Sequence, residues 1–139
     1  MKHRLNVSVI LEMTRLAFAD QMPFPASIVE LQKIGVERYC ADLVRLEKAH
    51  YDADGDSVLE PLPLMQPGEI AGTFSADAIV VALKSIRERR IDYAQFLREI
   101  MEAGCVHYAV YLTGRKAIYF GRQGEFHVEN FPPAEVSKQ

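Results

Sequence analysis

Residues 28–56, IVELQKIGVERYCADLVRLEKAHYDADGD, and residues 97–125, LREIMEAGCVHYAVYLTGRKAIYFGRQGE, align without a gap when the second is moved back by 69 positions. Glu30 then falls on Glu99, Gly35 on Gly104, Tyr39 on Tyr108, Leu43 on Leu112 and Gly55 on Gly124. Similar residues also coincide: Ile28 with Leu97, Leu31 with Ile100, Val36 with Cys105, Tyr51 with Phe120, Asp56 with Glu125. Upstream, Ile10 meets Ile79 and Leu11 meets Val80. The matches fall where physics narrows the choice of residue. A helix end calls for glycine, and apolar side chains must face one way along a strand. The reading is of one domain, residues 1–139, made of two α-α-β-β halves, 5–56 and 75–129, joined by an irregular linker, 57–74.

Working outward, Leu5 to Phe18 carries two patterns. Leu5, Val7, Val9 and Leu11 alternate as in a strand, whereas Val7, Ile10, Leu11, Thr14 and Phe18 form a helical stripe. The length favours helix, with Pro23 and Pro25 ending it. Ser27 to Ile34 reads as a second helix closed by Gly35 in a left-handed cap. Strands follow at Val36–Leu46 and Glu47–Tyr51, running into the turn Asp52–Asp56. Prolines 61, 63 and 67 with Gly68 and Gly72 mark the linker.

Ser75 is an N-cap for a helix reaching about Arg89, with Ile79, Val80, Leu83 and Ile86 as its buried stripe. Asp92 caps another helix, Tyr93–Ala103. The rest reads as a meander, Cys105–Leu112, Ala117–Phe120 and Phe126–Glu129, with Gly114 placed for a II′ turn. The expected class is α+β, an antiparallel sheet with helices packed mainly on one face. The other face must then be solvated, paired with a second subunit, or used for binding.

Composition narrows the function. A net charge of −3 over 139 residues argues against a nucleic-acid partner, since phosphate contacts need a cationic surplus. The run Lys84–Arg90 reads as the solvated end of a helix. Cys40 and Cys105 lie in apolar runs without a CxxC spacing, so free thiols are expected and no metal or cofactor. After Lys2, His3 and Arg4 the apolar run Val9–Leu11 is too short for a leader, and nothing approaches the ~20 apolar residues of a membrane span. A cytoplasmic protein without a membrane partner is expected. No phosphate loop, nucleophile elbow or HExxH is present, which disfavours the common motif-bearing enzymes.

The segment GCVHYAVYLTGRKAIYFGRQGEFHVENFP, from Gly104 onward, resembles a bacterial family of unknown function, sometimes labelled phage envelope-like protein. The earlier IVELQKIGVERYCADLVRLEKAHY is similar to the same family's first half, so the resemblance covers residues 24–132. It implies no activity, cofactor or catalytic residue.

Candidate site residues come from spacing. His107 and Tyr111 are four apart on one strand and share a face, as do His127 and Glu129 on the last strand. If the two faces coincide, His107 and His127 could act as general acid and base, with Tyr111 and Glu129 binding. Arg38 and Asp42 occupy the matching positions in the first half, as a same-face ion pair or as contacts to a polar ligand. The run Asp52-Ala53-Asp54-Gly55-Asp56 lacks the Gly and Glu placement of a calcium loop and reads as a hairpin turn. Tyr39, Tyr51, Tyr108, Tyr119 and Phe120 read as core packing. Two expectations of function follow. The first is a binding module for a small polar ligand or a partner protein, using the sheet face or a cleft between the halves. The second is a small enzyme using a His/Tyr/Glu cluster for general acid/base chemistry or hydrolysis. Self-association is also expected, because a meander ending at Phe131-Pro132-Pro133 leaves an edge strand to protect.

Overall fold

Three helices begin where a short polar side chain can satisfy a free backbone amide. Asn6 accepts from the Val9 amide, Ser75 from Ala78 and Asp92 from Gln95. In the computed structural model, which describes residues 4–131, these caps open α1 (Val7–Phe18), α3 (Ala76–Arg87) and α4 (Tyr93–Glu102). Lys2, His3, Pro132 and Pro133 lie outside the described residues. The fourth helix, α2 (Phe24–Lys33), starts three residues before the expected Ser27, with Pro25 in its first turn. Proline fits there because its missing N–H would have had no partner. Gly35 and Gly104 close α2 and α4 with φ of +93° and +89°, as the sequence requires.

The strands are β1 (Val36–Asp42), β2 (Glu47–Asp52), β3 (Ser57–Pro61), β4 (Cys105–Tyr111), β5 (Lys116–Gly121) and β6 (Phe126–Asn130). They form one antiparallel sheet in the order β3-β2-β1-β4-β5-β6. With four helices packed on one side, the fold is α+β. Three expectations are corrected. The first strand stops at Asp42, because Leu43–Leu46 turns, with Leu46 at φ +56°. The II′ turn at Gly114 is replaced by the same four-residue loop, with Arg115 carrying the positive φ of +56°. The first five residues of the expected linker form β3, which Pro61 ends at the sheet edge, where a missing N–H costs little.

Each half therefore reads α-α-β-β-β, one strand longer than expected. The bounds of α3, α4, β4, β5 and β6 are those of α1, α2, β1, β2 and β3 moved on by 69. The halves meet where β1 pairs with β4, and Cys40 lies opposite Ala109, the residue 69 positions further on. Direct strand pairing joins the two halves into one continuous sheet.

The core sits between sheet and helices. Tyr39, Ala41, Val58, Tyr108, Val110, Ala117 and Tyr119 point into it from the strands. Ile10, Ile28, Leu31, Ile79, Leu83, Leu97 and Ile100 meet them from the helices. Val80, expected in the stripe of α3, is 44% exposed, and Ala82 takes the inward position.

Candidate functional site

Pairing registers decide which side chains share a face. Tyr39, on β1, lies opposite His50 and Val110, and Cys40 lies opposite Ala49 and Ala109. The first set faces the helices and the second faces away from them. Following the ladders outward gives three parallel rows on the uncovered face. The middle row is apolar: Leu59, Ala49, Cys40, Ala109, Ile118 and Val128. One flanking row carries Glu47, Asp42, His107, Phe120 and Phe126. The other carries Tyr51, Arg38, Tyr111, Lys116 and Asn130. One side of the apolar row is thus acidic and the other basic.

The four candidates Arg38, Asp42, His107 and Tyr111 are brought together at the centre of this face. Arg38 is the register partner of Tyr111, and Asp42 that of His107. The expected Arg38–Asp42 ion pair does not form. Arg38 instead lies 4.1 Å over the Tyr51 ring and 3.5 Å from the Glu37 carboxylate. Asp42 accepts from the Val44 and Arg45 amides of the turn, at 2.9 Å each. His107 stacks on Phe120 with ring centres 4.7 Å apart. A shallow depression of about 310 Å³ opens here, lined by Cys40, Asp42, Glu47, Tyr51, Leu59 and His107 among others. Its floor is low because Ala49 and Cys40 are small. A hollow of about 400 Å³ lies elsewhere, between the Leu43–Leu46 turn and Pro67–Ile70, and holds none of the candidate residues.

His127 and Glu129 lie on the opposite side of the sheet. His127 is the register partner of Tyr119, and Glu129 that of Ala117, both core residues. His107 and His127 are therefore separated by the sheet, and the expected convergence of two imidazoles is corrected. Glu129 is held by Arg87 at 2.6 Å and accepts from the Tyr119 hydroxyl at 3.5 Å. Burial pushes its carboxyl up despite the guanidinium.

The helix-facing side also holds a polar set that sequence reading missed. Lys48, His50 and Glu60 are all buried, at 6%, 1% and 3% exposure. The Thr14 hydroxyl donates to Glu60 at 2.6 Å, and the Lys48 ammonium lies 4.8 Å over Tyr39 and 5.8 Å over Tyr93. His50 Nδ1 is 3.8 Å from the Glu60 carboxylate and makes no hydrogen bond. Burial first, and Lys48 second, push the imidazole down to about 3, so it is neutral, while burial raises the Glu60 carboxyl. The Tyr93 and Tyr108 hydroxyls share a 2.6 Å hydrogen bond nearby. The strand EKAHYD is polar on both sides, so alternation gave no hint of which side faces inward.

Both thiols are free; burial drives Cys105 to about 12 and raises the half-buried Cys40 less. Among the described residues no three His, Cys, Asp or Glu side chains are grouped to hold a metal ion, and no helix is long and apolar enough to cross a membrane.

Comparison with known proteins fits this architecture to a family. Residues 17–130 match the model of a protein family of unknown function, DUF1398, and the chain belongs to that family. It is also similar to uncharacterised proteins of Mycobacterium bovis and of two strains of Mycobacterium tuberculosis. Each is 26% identical over 115 residues, which cover 82% of this chain and 70% of the relative. These descriptions assign no activity, and they say nothing of phage.

Proposed function

We propose that the chain is a binding module whose working surface is the uncovered face of its sheet. One observation carries this reading. Arg38, Asp42, His107 and Tyr111 come to the two central strands of that face, beside an apolar row flanked by opposite charges. An antiparallel sheet is expected to solvate an uncovered face with polar residues throughout, and a continuous apolar row is what a partner would cover. The charges balance, Arg38 and Lys116 against Asp42 and Glu47, which suits a ligand or protein of mixed charge better than a phosphate backbone. Two unpaired thiols suit a reducing, cytoplasmic setting. A duplicated 69-residue unit is part of this reading, supported by the coincidence of element bounds. The enzyme reading has less support, because its two histidines lie on opposite sides of the sheet.

Thermal unfolding against a panel of metabolites and divalent metals tests the proposal. Arg38→Ala and His107→Ala alter the proposed surface, and His127→Ala is the control from the other side. A compound that raises the melting temperature of the parent and of His127→Ala, but not of the two surface variants, supports the reading. A stabilising compound whose effect only His127→Ala abolishes contradicts it.

A further inference from the structure

The charge pattern of the uncovered face matches itself. Resting on the binding reading above, the geometry points to a second copy of this chain as the partner, docked sheet to sheet about a two-fold axis lying along the apolar row. Such a rotation keeps each strand over its own copy and exchanges the two flanking rows. Cys40 and Ala109 then lie over themselves, small residues on small residues, at the middle of the contact. Asp42 meets the partner copy's Arg38 position, and His107 meets that of Tyr111. Glu47 meets that of Tyr51, and Phe120 that of Lys116. Each contact joins an acid to a base, an acceptor to a hydroxyl, or an aromatic ring to a cation, and each occurs twice, as an isologous interface requires.

The complementarity is confined to the four central strands, because sheet twist carries the edge strands apart when two sheets stack about 10 Å from each other. The alternative axis, along the strands, leaves each row on itself and places Arg38 over Tyr111 and Asp42 over His107. It does not bring Asp42 to Arg38. The two arrangements therefore respond differently to charge exchange.

Sedimentation velocity over a concentration series, on the full chain, decides it. The parent is expected to dimerise. Arg38→Glu alone and Asp42→Lys alone each set like charges together and should weaken the dimer by about tenfold or more. An equimolar mixture of the two variants restores both opposite-charge contacts and should restore the dimer. Circular dichroism and melting curves check folding, since Asp42 also caps the Leu43–Leu46 turn. Ile118→Lys is the second variant. It changes a half-buried side chain of the apolar row on the central strand β5 and should give a folded monomer. A parent that is monomeric at every concentration overturns the second copy as partner. A panel compound whose stabilisation is lost in His107→Ala would then still uphold the binding reading. A parent dimer that the mixed variants fail to restore overturns the proposed axis.

Discussion

Burial of His50 has an electrostatic consequence of definite sign. Its folded pKa of about 3 lies below the unfolded value of 6.5, so the unfolded chain takes up the proton first. The stability tied to the neutral imidazole is complete above pH 6.5 and is lost as pH falls toward 3. Glu60 and Glu129, whose carboxyls are raised, act the other way over the acidic end of this range. Comparing parent with variant removes that offset. His50→Leu should lose about 2–3 kcal/mol less stability than the parent between pH 7 and pH 4.5, by urea unfolding at each pH. Equal losses in both proteins would contradict the burial of an uncharged His50. The sequence could not supply this. Lys48, His50 and Glu60 are polar types at positions that proved to face inward, and only pairing to β1 fixed their side.

At the scale of elements, the glycines were the most legible signal, yet two matching glycines should tolerate change very differently. Both Gly35 and Gly104 have positive φ, so either alanine is strained by about 1 kcal/mol. A Cβ at Gly35 meets nothing, whereas at Gly104 it would run into the Thr73 carbonyl and the Phe74 backbone. Gly104→Ala should therefore cost several kcal/mol more than Gly35→Ala, read from denaturant midpoints. Equal costs would mean that the 70–75 segment yields easily. Thr14 ties α1 to the edge strand β3 through Glu60, and Thr14→Val should cost about 1–3 kcal/mol by leaving that carboxylate short of a donor. An unchanged midpoint would show that the buried carboxylate finds another partner. β3 itself was hidden in the sequence. It is five residues long, ends in proline and adjoins a proline-rich stretch, all marks of a linker. The caps at Ser75 and Asp92 were readable because they depend only on neighbours in the chain.

For the molecule as a whole, the α+β class and the one-sided placement of helices followed from local patterns summed along the chain. The candidate site followed only in part. Within one strand, even spacing correctly joined His107 to Tyr111 and Arg38 to Asp42. Between strands, nothing in the sequence indicated register, so the pair His127 and Glu129 could not be assigned to the opposite side. The same pairing created the apolar row across six strands, whose members are scattered from position 40 to position 128. Cys40 sits at the centre of that row and Cys105 is buried, so alkylation reports on cover over the face. The rate at which iodoacetamide labels Cys40 should fall as protein concentration rises in the parent, and stay constant in Ile118→Lys. One constant rate shared by both proteins at every concentration would contradict self-association through the uncovered face.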